Sequence, residues 1–140
     1  MKALGRHIVA ELSMCNAEIL SDIDQVRAIM VRAALAAQAT VRELAFHKFE
    51  PHGVSGVVVL AESHLSIHTW PEHRYAAIDI YTCGETADPW KACDYMAEKF
   101  MAQSLATSVV ERGIPTSFGT FSHQISSFPM DEGLRVAQQV

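Results

Sequence analysis

Ala61-Glu62-Ser63-His64-Leu65-Ser66-Ile67-His68-Thr69-Trp70-Pro71-Glu72-His73-Arg74-Tyr75-Ala76-Ala77-Ile78-Asp79-Ile80-Tyr81-Thr82-Cys83-Gly84 is the stretch on which the fold turns. Two β-forming runs, Leu65 to Trp70 and Tyr75 to Cys83, meet at Pro71-Glu72-His73-Arg74, a turn signal, so the segment reads as a hairpin. Strand alternation puts His64, Ser66, His68 and Trp70 on one face, where Tyr75, Ala77, Asp79 and Tyr81 can join them. The hairpin is expected to gather a hydroxyl (Ser63), an imidazole (His68) and a thiol (Cys83) into one neighbourhood. A nucleophile, a base and an acid together point to covalent chemistry.

Outward from the hairpin, residues 5 to 12 read as a strand with Ile8, Ala10 and Leu12 on one face. Ser21 or Asp22 can cap a helix to about Gln38, with Ile23, Val26, Met30, Ala33 and Ala37 at helical spacing. Val41 to Glu50 and Val54 to Ala61 read as strands. The second, Val57-Val58-Val59-Leu60, is apolar on both faces and is expected to be central. Asp88-Pro89-Trp90 starts a second helix with a buried stripe of Trp90, Cys93, Ala97, Phe100 and Met101. Leu105 to Glu111 is a last strand, ended by Gly113-Ile114-Pro115. The tail, 116–140, has no clear periodicity and is expected to be extended or partly disordered. The order β-α-β-β-β-α-β predicts an α+β two-layer sandwich with a mostly antiparallel sheet. Two helices cover one face. The other face mixes polar and apolar residues and suits burial against a second copy, so a homodimer with a polar site between the copies is expected.

At 140 residues, with 49% hydrophobic and 19% charged, the chain suits one globular domain, 1–115, followed by the tail. A net charge of −5 with no Lys/Arg cluster argues against nucleic acid. No apolar run approaches the ~20 residues of a membrane span. The N-terminus lacks the apolar core of a signal peptide. Three cysteines without CxxC spacing fit a reducing cytoplasm better than a disulfide framework or structural zinc. His64 and His68 are not expected to share a metal, because four strand residues span ~13 Å and metal bonds are ~2 Å.

Ser63 lacks the Gly-x-Ser-x-Gly elbow of a hydrolase, and no carboxylate among Glu62, Glu72 and Asp79 is singled out as its triad partner. The Glu62-Ser63 bond is a candidate substrate in its own right. A serine hydroxyl can attack the preceding carbonyl and turn the amide into an ester. Removing the Ser63 Cα proton then expels the Glu62 carboxylate and leaves dehydroalanine, which hydrolyses to a pyruvoyl group. His68 is the candidate base and Ser55 a supporting donor. Strict alternation sets Ser63 and His68 on opposite faces, so a turn or bulge near Ser63 or His64 is required. The bland readings are a strand-end Ser63, an interface His68 and a small buried Cys83. On residue types alone, the covalent and structural readings stand level.

The motifs lift that balance. Gly5-Arg6-His7, Phe46 through Gly56, Ala61 through Glu72 and Asp79 through Gly84 closely resemble the small prokaryotic type of S-adenosylmethionine decarboxylase proenzyme, over roughly residues 3–115. The resemblance implies self-cleavage between Glu62 and Ser63, giving a β chain 1–62 and an α chain that starts with a pyruvoyl group made from Ser63. It implies His68 as processing base, Ser55 as supporting hydroxyl and Cys83 as proton donor in decarboxylation. The pyruvoyl is the implied cofactor, holding the substrate amine as a Schiff base and serving as electron sink. S-adenosyl-L-methionine is the implied substrate, its product feeding spermidine synthesis. Phe49 and Trp70 are candidates to flank the adenine, and Glu72 to accept the ribose hydroxyls. The alternatives are a pyruvoyl-dependent arginine or ornithine decarboxylase on the same fold, or an inactive regulatory homologue.

Overall fold

The computed structural model describes residues 2–84 and 86–132. The chain runs β1 (Gly5–Ser13), α1 (Ala17–Leu20), α2 (Ile23–Ala36), β2 (Val41–Lys48), β3 (Val54–Leu60), β4 (His64–Trp70), a 3-10 turn (Pro71–His73), β5 (Tyr75–Cys83), α3 (Pro89–Lys99), β6 (Ser104–Pro115) and β7 (Phe121–Glu132). The strands form one sheet in the order β2-β3-β4-β5-β1-β6-β7. Every neighbouring pair is antiparallel. The expected α+β sandwich with helices on one side of an antiparallel sheet is therefore what the sequence builds.

Local chemistry sets the elements. The Asp22 carboxylate accepts from the backbone N–H of Asp24 and Gln25 and starts α2. Asp88 accepts from Trp90 N–H, and Pro89 occupies the first turn of α3, where its missing N–H costs nothing. The one-turn helix α1 was not anticipated; Asn16 caps it through Ile19 N–H. Turn residue Arg74 is held twice: Cys15 N–H donates to its carbonyl, and its Nε donates to the Cys15 carbonyl.

The core lies between the helices and one sheet face. Ile8, Ala10 and Leu12 of β1, Leu65 and Ile67 of β4, and Ile78 and Ile80 of β5 are buried there against Val26, Met30 and Ala33 of α2 and Cys93 and Met96 of α3. Each large aliphatic side chain so buried contributes about 1.5–3 kcal/mol from removal of its apolar surface from water. The buried Thr69 is satisfied, accepting from Val54 N–H and donating to the Leu20 carbonyl. Strand β3 is flanked on both sides but stands one place from the sheet edge, not at its centre.

The described part of the tail is extended, as one of the two expectations had it, and it is also paired into the sheet. After a turn at residues 116–120, β7 pairs along β6 from Phe121 to Glu132 and becomes an edge of the sheet. Phe128 packs edge-on against Trp90, with ring centroids 5.8 Å apart. The sheet therefore does not end at residue 115, and β6 itself runs on to Pro115 through a register shift between Arg112 and Ile114. Residues 133–140 lie outside those described. Among the described residues, no helix is long and apolar enough to cross a membrane.

Candidate active site

The helix-free face carries the chemistry, because β4 and β5 pair with His64 opposite Tyr81, Ser66 opposite Asp79, His68 opposite Ala77 and Trp70 opposite Tyr75. Ser66 Oγ donates to Asp79 Oδ2 at 3.0 Å across this ladder. All eight residues assigned to one face from alternation do share it.

At one end of that face, Ser55 on β3 pairs with His68 on β4, and Ser55 Oγ lies 2.8 Å from His68 Nδ1. A cleft of about 320 Å³ opens there, lined by Phe49, His52, Ser55, His68, Trp70 and Glu72 among others. Trp70 stacks on Tyr75 with centroids 5.2 Å apart and is 39% exposed, and Phe49 is 46% exposed beside His47. Two half-exposed aromatic faces and a carboxylate (Glu72 Oε1, 3.7 Å from His52 Nε2) give this cleft the means to hold a flat heterocycle and adjoining hydroxyls. The sequence-predicted Ser55, His68, Phe49, Trp70 and Glu72 thus converge.

Ser63 and Cys83 are elsewhere. The turn Ala61-Glu62-Ser63 joins β3 to β4 and is closed by Leu60 N–H donating to the Ser63 carbonyl at 2.9 Å. Cys83 ends β5, level with this turn by the same register that pairs His64 with Tyr81. Glu62, Ser63 and Cys83 line a second cleft of about 320 Å³, with Thr40, Gly84 and Thr86. Glu62 and Ser63 also border a wider, open cleft of about 630 Å³ with Leu4, His64, Tyr81, Arg112 and Phe121. From Ser63 to His68 is five strand residues, or ~16 Å. The expectation that one hairpin gathers Ser63, His68 and Cys83 is therefore corrected. The turn at Ser63 is present, but strand pairing sets Cys83 beside Ser63 and His68 beside Ser55, at opposite ends of β4.

Between the two ends runs a polar strip that the sequence reading did not single out. His7 Nε2 lies 3.3 Å from Asp79 Oδ1, close enough to attract but not aligned as a hydrogen bond. The rings of His7 and His64 stand against Tyr81 at centroid separations of 5.7 and 5.8 Å, and the Arg112 guanidinium lies 5.7 Å from the same ring. Tyr75 donates to Glu11. Burial first, then that hydrogen bond and the charges of Glu11 and Asp79, push the Tyr75 hydroxyl up to about 12. The Tyr81 hydroxyl is also raised, by burial and then by the neighbouring Cys83, with Arg112 opposing. Strand alternation back from Cys83 reaches Tyr81 and Asp79, so the signal was in the sequence; the side-chain contacts that make a strip of them were not. Cys15 is fully buried and raised to about 12 by desolvation, which suits packing rather than reactivity. Among the described residues no three His, Cys, Asp or Glu side chains converge on a metal position.

Comparison with known proteins bears on the family of the chain. The S-adenosylmethionine decarboxylase family model matches residues 6–113. A protein of Moorella thermoacetica, named S-adenosylmethionine decarboxylase proenzyme, is 59% identical over 114 residues, which are 81% of this chain and 91% of that one. A namesake from Acetivibrio thermocellus is 57% identical over 114 residues, 81% of this chain and 92% of its own. The crystal structure of adenosylmethionine decarboxylase from Aquifex aeolicus is similar with a TM-score of 0.78 and 37% identity, covering 86% of this chain and 99% of that chain. By the length and level of these matches, the chain belongs to the S-adenosylmethionine decarboxylase family.

Proposed function

We propose that this chain is a proenzyme that cleaves itself between Glu62 and Ser63 and then decarboxylates S-adenosyl-L-methionine, supplying aminopropyl groups for spermidine synthesis. The observation that carries the reading is Ser63 in an open turn, facing one cleft with Cys83, within a chain that matches the family from residue 6 to 113. Turnover of carboxyl-labelled S-adenosylmethionine to carbon dioxide tests it. Release from arginine or ornithine instead would move the reading to that rival, which Phe49, Trp70 and Glu72 do not favour. An uncleaved chain without turnover would favour a regulatory homologue.

The residues present fit a pyruvoyl group at position 63. A turn residue with its hydroxyl at a cleft can meet the carbonyl before it, and Cys83 borders the space where the group would stand. When in place, the group supplies a ketone that takes up the substrate amine and draws electrons as the carboxylate leaves. Ser63 would start processing by attacking the Glu62 carbonyl. Cys83, kept as a thiol, would hold a proton ready for the carbon that loses carbon dioxide. Phe49 and Trp70 would stack on the adenine, and Glu72 would accept from the ribose hydroxyls. The thiols, none of them in a disulfide among the described residues and two of them buried, suit a reducing cytoplasm.

His68 and Ser55 are proposed to assist processing from a second copy. A proton transfer needs ~3 Å, and the ~16 Å between Ser63 and His68 along β4 is too far. A twofold axis through the helix-free face, with the copies' strands reversed, would set the Ser63–Cys83 end of each copy against the Ser55–His68 end of the other. The face carries Val57, Val59, Trp70 and Tyr75 beside its polar strip, and Val59 and Trp70 are 38% and 39% exposed in the single chain, apolar surface that a second copy would cover.

A further inference from the structure

The polar strip ends on the proposed proton donor, and it does so because one side chain is missing. Gly5 on β1 lies directly between Cys83 on β5 and Arg112 on β6. The Tyr81 ring leans across this gap. A Cβ on Gly5 would stand 2.4 Å from Tyr81 Oη and 2.8 Å from Tyr81 Cζ, so the hydroxyl occupies the space that any other residue would fill. Residues 81 and 83 point to the same face, and the partner directly across from Cys83 is the very glycine over which the Tyr81 hydroxyl lies. The ring has little freedom to leave. His7 from β1 and His64 from β4 stand against it, and Arg112 from β6 lies over it. Asp79, two residues back on β5, tethers the strip through Ser66 and attracts His7.

We infer that Tyr81 is a positioning residue for Cys83, its hydroxyl fixing the rotamer of the thiol and stabilising the sulfur whenever it gives up its proton. The Tyr81 hydroxyl lies over Gly5, directly across from Cys83, so a hydrogen bond between the two side chains is the contact inferred. With a thiol present either group can donate. With a thiolate present only the Tyr81 O–H can, because sulfur then has no proton to give. Burial and the neighbouring Cys83 make the Tyr81 hydroxyl hold its proton more firmly than an ordinary phenol, which suits it to donate. No atom is transferred in this role; Tyr81 keeps its proton and holds the sulfur that moves one. The inference rests on the reading of Cys83 as proton donor for its catalytic meaning, though not for the contact itself.

The test uses both the uncut and the matured chain. In full-length Ser63→Ala protein, the rate of iodoacetamide alkylation at Cys83 is followed across pH by peptide mass mapping; Cys15 and Cys93 are fully buried. Tyr81→Phe should move that pH profile upward by about half a unit to one unit, as expected on losing a partly solvated hydrogen bond to a charged sulfur. Gly5→Ala, which keeps the phenol but evicts it from the gap, should move the profile the same way. In otherwise native protein, Tyr81→Phe should be cut normally and should lower kcat about tenfold, with KM within about twofold. A profile that is unmoved in both variants overturns the inference. If the profile moves but Cys83→Ala retains full turnover, the contact stands and the proton-donor reading of Cys83 falls.

Discussion

Mixing two dead chains should restore cleavage. Ser63→Ala keeps the peptide bond but lacks the hydroxyl that attacks it, and His68→Ala lacks the base, so neither should process alone. One chain holds these groups ~16 Å apart, whereas proton transfer works at ~3 Å; the factor of about five cannot be closed by side-chain rotation on a paired strand. If the base comes from a second copy, each mixed dimer contains one whole site: Ser63 from the His68→Ala chain and His68 from the Ser63→Ala chain. With equal expression and random pairing about half of the dimers are mixed. About half of the His68→Ala chains should then be cut, and the Ser63→Ala chains should all stay whole. Co-expression with distinguishable tags, followed by denaturing electrophoresis, reads the ratio. Omitting hydroxylamine matters, because a His68→Ala chain stalled at the ester would be cleaved by that reagent. Dimers that contain both variants yet show no cut chain would refute the shared site.

Cys83→Ala should leave processing intact and reduce turnover by about 10²-fold or more, the usual worth of a placed general acid. Phe49→Ala and Trp70→Ala should each raise KM for S-adenosylmethionine by up to about tenfold with little change in processing, matching a stacking loss of about 0.5–1.5 kcal/mol; unchanged KM in both would remove the adenine from that cleft. Ile78→Ala, which empties a fully buried position between β4 and β1, should cost about 2–5 kcal/mol in urea unfolding of the Ser63→Ala chain at fixed concentration. Tyr75 carries a pH signature. Its hydroxyl is raised from 10.0 to about 12, so the unfolded chain loses that proton first and the folded chain holds it longer. The stability this gives is whole below pH 10, declines above it and is gone beyond pH 12. Tyr75→Phe should flatten that part of the stability profile, and an unaltered alkaline decline would show that another group causes it.

Much of this was readable in the residues because strand alternation is strict. It assigned His64, Ser66, His68, Trp70 and their β5 partners to one face, and Asp22 and Asp88 announced their helices. Ser55, His68, Phe49, Trp70 and Glu72, each singled out in the sequence, line one cleft. The misreading concerned distance. Ser63, His68 and Cys83 lie close in sequence, but a strand spends ~3.3 Å per residue in one direction, so closeness along β4 means separation in space. Register, fixed by pairing across the sheet, decided that Cys83 joins Ser63. The pairing of the tail was not legible for a different reason. Phe121 and Ile125 stand on an edge strand where the side chains of residues 121–127 are exposed, which leaves a weak pattern. The contact of Tyr81 with Gly5 joins strands that are neighbours in the sheet but lie at opposite ends of the segment from β1 to β5, and no local signal encodes it.

The central claim is that the Glu62–Ser63 bond consumes itself. Intact mass spectrometry of turnover-competent protein tests it most directly. The account predicts two chains, 1–62 with an ordinary carboxyl end and 63–140 beginning with a ketone that has lost the serine nitrogen. An active preparation consisting of one unbroken chain of 15.4 kDa, with an intact serine at position 63, would contradict it.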